Sequence, residues 1–183
     1  MLDRETILKA LQRLSDLLAE RNVTGEICLL GGTAMVLAFH ARPNTKDVDA
    51  IFHPPQVIRE LAREVSEELN LPPDWLNDGA NGFVSAAHEV TVGDLPQFSH
   101  LRVVAPTPEY MFAMKCMASR LAHGDERGDV PDIALLARKL RLTSIAHALD
   151  VVAKYYPQSQ IPVRTQYLLE DVFAQINRPN APS

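Results

Sequence analysis

The sequence predicts a mixed α/β fold in which a mixed sheet flanked by helices is followed by a C-terminal helical part. Residues 27–30 form a short apolar run closed by two glycines, which has the length of a buried strand. Residues 47–52 place apolar and polar side chains on opposite faces, as a half-buried strand does. After residue 106 the apolar residues recur every three or four positions, which is typical of helices.

Helix and strand signals divide the first part into five main elements. Asp3 has a residue type that caps helices. The residue before Pro43 disfavours helix, so the second helix is expected to end near it. In chain order the predicted elements are a helix from Asp3 to about Arg21, a strand at 27–30, a helix capped by Thr33 and reaching about Ala41, a strand at 47–52 and a helix at 56–69.

The rest of the chain contains a less regular stretch and then helices. Between residues 70 and 100 we expect a short helix near Trp75 and one or two strands, one of them around 88–93. A strand at 101–105 and four helices follow, the helices at 109–122, 131–140, 143–155 and 162–176. We therefore predict an α/β core with an N-terminal helix at 1–106, a helical region packing on that core at 107–177, and a flexible tail at 178–183.

Composition sets limits on the class of protein. Of the 183 residues, 46% are apolar and 22% are charged, which is ordinary for a globular protein. The net charge of −5 argues against general nucleic-acid binding, because phosphate contacts depend on Lys and Arg. No apolar run is long enough to span a bilayer. Cys28 and Cys116 have no partner at metal-ligand spacing, so we expect free thiols and a cytoplasmic location.

Two aspartates are the first candidate site residues. Asp47 and Asp49 are two positions apart in the predicted strand, so their carboxylates would share one face. Two such carboxylates repel each other, and a divalent cation with oxygen ligands removes that penalty. Mg²⁺ is typically held by one or two carboxylates together with substrate phosphates. The pair therefore predicts a Mg²⁺ (or Mn²⁺) site.

A glycine pair at the end of the preceding strand is the second candidate feature. Gly31 and Gly32 lead into a predicted helix, where backbone N–H groups and the helix dipole favour a phosphate. Thr33 adds a hydroxyl at the same place. Metal-binding carboxylates beside a phosphate-binding turn are the parts that metal-assisted phosphoryl chemistry requires.

In this order, these residues resemble the DNA polymerase beta-like nucleotidyltransferases, whose motif is a hydrophobic strand, Gly-Gly or Gly-Ser, a helix and then Asp-hydrophobic-Asp. The stretch from Arg42 through Thr45 and Lys46 to Ala50 is, more narrowly, similar to the DUF6036 and AbiEii-like branch. That branch includes toxin components of bacterial toxin–antitoxin systems. The resemblance implies a nucleotidyltransferase-like fold for the core.

A second motif in the helical part extends the resemblance over roughly residues 25–140. Members of this branch tend to carry a lysine in a helix after the sheet, followed by an arginine and an Asp-x-x-Asp motif. Lys115 and Arg120 match the first part, and Asp129 and Asp132 match the second. We expect Arg120 to form a structural ion pair with Asp125 or Asp129, and Asp132 to complement the N-terminus of its helix.

The resemblance implies metal-dependent transfer of a nucleoside monophosphate from an NTP to an RNA, such as tRNA, or to a protein hydroxyl. It also implies an antitoxin protein as a partner, if the chain is a toxin. The composition gives no reason to expect a membrane partner. Carried over by residue, it implies metal ligands at Asp47 and Asp49, catalytic roles for these two with Lys115 and Asp129, and nucleotide contacts from Gly31, Gly32, Thr33, Arg42, Thr45 and Lys46.

A third carboxylate on a later strand is common in this superfamily, where it orients or activates the attacking hydroxyl. Glu89 and Asp94 are the candidates here, but neither lies in a regular strand pattern. The alternative is therefore a catalytically degenerate module of the same fold that binds a nucleotide or a protein. A metal-dependent phosphohydrolase would need more His or Asp ligands at ordered spacing.

Overall fold

The structure, a computed structural model, describes residues 1–79, 82, 84–119 and 129–177. These residues form two compact units, the first from residues 1–82 and 90–106, the second from residues 83–89 and those from 107 onward, within the described ranges. The first unit holds a five-stranded mixed sheet with helices, and the second is helical. The predicted mixed α/β class is confirmed. How the helical region packs on the core stays a prediction.

The first unit contains seven strands and three helices among its described residues. In chain order they are β1 (Leu2–Asp3), α1 (Arg4–Glu20), β2 (Gly25–Leu29), α2 (Gly31–Leu37), β3 (Asn44–Thr45), β4 (Val48–His53), α3 (Pro55–Leu69), β5 (Leu76–Asn77), β6 (Val90–Thr91) and β7 (Leu101–Pro106). A two-stranded ladder of β1 and β3 was not predicted.

The sheet has the order β5-β4-β2-β7-β6. Strand β2 lies at its centre, antiparallel to β4 and parallel to β7. The register places Ile27 opposite Phe52 and Val103, so one face of the three strands is apolar and buried. Helices α1 and α3 contribute leucine, isoleucine and valine side chains to the same core. The predicted alternation is confirmed from Val48 to Phe52, since Val48, Ala50 and Phe52 are buried and the residues between them are not.

Caps set the ends of the two long helices of this unit. The Asp3 side chain accepts a hydrogen bond of 2.8 Å from the backbone N–H of Thr6, which confirms it as the N-cap of α1. Helix α3 ends at Asn70, which takes the left-handed conformation with φ of 53°.

The prediction of a helix near Trp75 is wrong. The Trp75 carbonyl accepts a hydrogen bond from the N–H of Val48, and the Trp75 indole donates to the carbonyl of Ala62. The segment therefore leads into β5.

The second unit packs four helices around a shared apolar core. They are α4 (Pro108–Ala118), α5 (Val130–Lys139), α6 (Ile145–Tyr155) and α7 (Val163–Ile176). Helix α4 contacts the other three, and α7 contacts α5 and α6 as well. A hydrogen bond of 2.7 Å from the N–H of Ser85 to the Tyr110 hydroxyl helps to hold segment 84–89 in this unit. Arg120 and Asp125, like the predicted tail at 178–183, lie outside the described residues.

No helix in the described ranges combines the length and the hydropathy that a membrane crossing requires.

Candidate functional site

The side chain of Asp49 lies against the glycine turn that follows β2. Gly31 has φ of +51°, a left-handed conformation that L side chains rarely adopt. A Cβ on Gly31 would stand 2.6 Å from Oδ2 of Asp49. The backbone N–H of Leu30 also donates to the carbonyl of Asp49 over 2.8 Å. Glycine is therefore required here so that the turn and the Asp49 carboxylate can approach each other.

Gly32 makes an equally close approach to Thr45 of β3. A Cβ on Gly32 would collide with the Thr45 hydroxyl and would stand 3.9 Å from Nη1 of Arg42. Thr45 is buried and Arg42 is half-buried, whereas Lys46 is exposed. The glycine pair thus makes room for side chains of the chain itself. The predicted nucleotide contacts stay predictions for all six residues, Gly31, Gly32, Thr33, Arg42, Thr45 and Lys46.

Helix α2 begins earlier and ends sooner than predicted. Its N-cap is Leu30, and the helix stops at Leu37 instead of reaching Ala41. Thr33 is not the cap, because its position is inside the first turn and its hydroxyl donates to the carbonyl of Asp47 over 2.9 Å. A fully buried threonine in α2 therefore fixes the backbone of the aspartate segment.

Asp47 lies in a bend just before β4, so the prediction that it belongs to the strand is wrong. Its carbonyl is taken by Thr33, while the N–H of Val48 donates to Trp75 over 2.6 Å, and regular pairing starts there. The carboxylate Oδ2 accepts a hydrogen bond of 3.3 Å from Nδ2 of Asn77. Oδ1 of Asn77 accepts from the N–H of Gly79, which turns the amide donor toward Asp47.

Asn77 was missed by the sequence analysis. It pairs in register with Asp49 across β4 and β5 and donates to Asp47, so it adjoins both aspartates. Strand β5 is two residues long and its neighbours are irregular in sequence. A lone Asn two residues before a glycine carries no signal that distinguishes such a role from a turn.

The donor set at Asp47 and Asp49 fits a hard divalent cation. Both side chains are partly exposed, and both offer the carboxylate oxygens that Mg²⁺ prefers. Among the described residues no group of three or more His, Cys, Asp and Glu side chains is arranged to hold a metal. A cation here would complete its coordination with water or with oxygens of a bound substrate, as Mg²⁺ usually does.

The described strands of the sheet carry one further acidic residue, and an ion pair already engages it. Only β2 and β4 carry an acidic residue, and the acid of β2 is Glu26, which forms an ion pair with Arg102. Strand β7, parallel to β2, has none. Asp94 is exposed in a turn after β6, and Glu89 belongs to the second unit. Oε2 of Glu89 accepts from the hydroxyls of Tyr155 at 2.8 Å and Thr107 at 3.4 Å.

Lys115 and two aspartates form a buried ion cluster in the second unit. Nζ of Lys115 lies 2.6 Å from Oδ1 of Asp129 and 2.7 Å from Oδ2 of Asp132. The lysine is 7% exposed and Asp132 is 3% exposed. Asp132, in the first turn of α5, was expected only to complement the helix terminus, so its contact with Lys115 was missed. The ammonium neutralises one carboxylate charge and contacts a second.

Burial controls the chemistry of the two thiols. Burial, with a smaller contribution from the charge of Glu26, raises the pKa of Cys28 to about 11. Burial and the nearby Asp129 raise the pKa of Cys116 still further. Both cysteines are free, as expected. Neither is suited to nucleophilic catalysis near neutral pH, because the thiolate is the reactive form.

Comparisons of the chain with protein-family models, with curated proteins and with solved structures find no match. The resemblance to nucleotidyltransferases therefore rests on the motif residues alone.

Proposed function

We propose that the chain is a metal-dependent nucleotidyltransferase that moves a nucleoside monophosphate from an NTP to an RNA or protein acceptor. The observation that carries the proposal is that the Asp49 carboxylate lies against the Gly31 turn, while Thr33 of the helix that starts at this turn donates to the backbone carbonyl of Asp47. Metal-assisted phosphoryl transfer uses carboxylates beside a phosphate-binding turn, and here two aspartates and a tight glycine turn lie where the neighbouring strands β2 and β4 meet their loops.

In this proposal the residues of the chain position the reacting groups. Asp47 and Asp49 would hold the cation, with Thr33 and Asn77 fixing the position of Asp47. Mg²⁺ or Mn²⁺ would supply charge neutralisation at the α-phosphate and the leaving pyrophosphate. Catalysis would then come from positioning and from charge stabilisation, without a covalent intermediate.

The proposed role of Lys115 requires its ammonium to release one of its present partners. Its ammonium is held by two carboxylates within 2.7 Å. To contact a phosphate it would have to exchange one of them, and Asp129 is the more exposed partner. The proposed role of Asp129 is to keep Lys115 in place until a nucleotide arrives.

If the chain is a toxin, we propose that the enzyme acts in a bacterial cytoplasm and is inhibited by a protein antitoxin.

A second candidate is a degenerate module that binds a nucleotide but transfers nothing. The absence of an acidic residue from β7 favours it, because no carboxylate on that described strand is available to activate the attacking hydroxyl. Such a module would still bind Mg²⁺ with an NTP through Asp47 and Asp49. Binding and transfer must therefore be measured separately.

The test is transfer of label from each α-labelled NTP to total bacterial RNA or to protein, with Mg²⁺ or Mn²⁺. Asp47→Asn/Asp49→Asn removes the proposed ligands, and Asp74→Asn/Asp150→Asn is a matched control at two exposed acids. Label that is lost only in the first double variant supports the transferase. Metal-dependent NTP binding without transfer supports the degenerate module. Absence of both transfer and binding would overturn both candidates.

A further inference from the structure

The loop that carries Asp47 is paired with the first strand of the chain. Strand β1 runs antiparallel to β3, with Leu2 opposite Thr45 and Asp3 opposite Asn44. Asp47 follows Thr45 after a single residue. The backbone that presents the candidate metal ligand is therefore continuous with a two-residue ladder.

Three contacts fix β1 and the first residue of α1 to the rest of the first unit. The Leu2 side chain is 4% exposed and belongs to the hydrophobic core. The Asp3 carboxylate caps α1, and Nη1 of Arg4 donates to the carbonyl of Leu37 over 3.3 Å. Residues 2–4 thus connect the start of α1, the end of α2 and the strand before the aspartates.

Thr45 transmits the position of β1 to the glycine turn. It pairs with Leu2 through the backbone, and its buried hydroxyl lies against Gly32. A shift of β1 that moved Thr45 would change the contact between the Thr45 hydroxyl and Gly32. Thr45 therefore links the position of β1 to the position of the glycine turn.

We infer that β1 is a positioning element of the candidate metal site, with Leu2 as its anchor. The inference rests on the proposed function, since it concerns the cation that Asp47 and Asp49 would hold. Release of β1 lets the segment at 44–47 move and weakens cation binding. Because linkage is reciprocal, a bound cation in turn strengthens the pairing of β1 with β3.

The test compares two leucine variants with the same side-chain loss and the same burial. Leu2→Ala removes the anchor, whereas Leu17→Ala empties a site of α1 that is likewise 4% exposed in the same core. Mn²⁺ affinity is measured by electron paramagnetic resonance on the full chain. We expect Leu2→Ala to weaken Mn²⁺ binding by up to about tenfold, the lower end of the loss caused by removing a direct support of a metal ligand, because Leu2 acts through Thr45. Leu2→Met, which keeps a large apolar side chain, should bind Mn²⁺ as the wild type does, and so should Leu17→Ala.

Hydrogen exchange of the amides at residues 44–47, measured without metal, separates this inference from the proposed function. Faster exchange in Leu2→Ala than in Leu17→Ala supports the positioning role, whether or not the wild-type chain binds Mn²⁺. Failure of the wild-type chain to bind Mn²⁺ would count only against the proposed metal site. Equal exchange in the two variants overturns the inference. So does an equal loss of Mn²⁺ affinity in both.

Discussion

Oδ2 of Asp49 occupies the space that a side chain at Gly31 would need, since a Cβ there would stand 2.6 Å from this oxygen. The turn after β2 and the strand β4 are therefore matched to each other at this point. The glycine is required by two independent conditions, the left-handed backbone with φ of +51° and the contact with the carboxylate.

Gly31→Ala should destabilise the protein and displace Asp49. A left-handed conformation costs an L residue about 1–2 kcal/mol, and the clash adds to this. We expect the free energy of unfolding to fall by more than about 2 kcal/mol in urea titrations. Gly93→Ala is the matched control, because Gly93 has φ of +48° with open space around it. If both variants lose the same stability, the Asp49 contact has no energetic weight.

Thr33→Val should lower both the stability of the protein and its affinity for Mn²⁺, whereas a control variant should lower stability only. The variant keeps the shape and removes the donor to the carbonyl of Asp47, which costs about 1 kcal/mol. Thr165→Val is the control, since Thr165 is also fully buried and its hydroxyl donates to the carbonyl of Cys116. Both variants should lose similar stability by thermal unfolding. Only Thr33→Val should lower Mn²⁺ affinity, and an unchanged affinity would contradict the support role.

Lys115→Met should be strongly destabilising. The substitution leaves two neighbouring carboxylates without the ammonium that contacts both, and breaking a buried ion pair costs about 3–5 kcal/mol. Lys154→Met removes an exposed pair with Glu109 and should change the free energy of unfolding by no more than about 1 kcal/mol. Chemical denaturation of both variants provides the comparison. A small effect at Lys115 would mean that the cluster contributes little to folding.

Thiol alkylation should depend steeply on pH at Cys28. Since its pKa is raised to about 11, iodoacetamide should react slowly at pH 8 and about tenfold faster for each pH unit up to about 11. The raised pKa also contributes stability that is fully present below the ordinary thiol pKa and is lost as the pH rises through about 11.

Mass spectrometry of the labelled protein identifies which thiol has reacted. Cys116 should stay unlabelled until the protein unfolds, and Cys28→Ser should abolish labelling of the folded chain. Rapid labelling of Cys28 at pH 7 would contradict the burial assigned to it.

The sequence identified the regular elements well where the pattern was long or strongly periodic. The helix from Arg4 to Glu20 has apolar residues at helical spacing and an aspartate cap, and both are local properties. The short strand at β5 and the irregular segment near Trp75 were not identified, because their backbone bonds go to distant residues. Two residues of strand have too little sequence to show a period.

Within the candidate site, the sequence by itself determined the pair of carboxylates, the glycine turn and the lysine with two aspartates nearby in the chain. Only the tertiary structure decided that Asp47 precedes its strand and that Asn77 and Thr33 hold it. It also decided that Leu2 is paired with Thr45. Residue types and local spacing are written in the sequence, whereas contacts across dozens of residues depend on how the strands and helices pack.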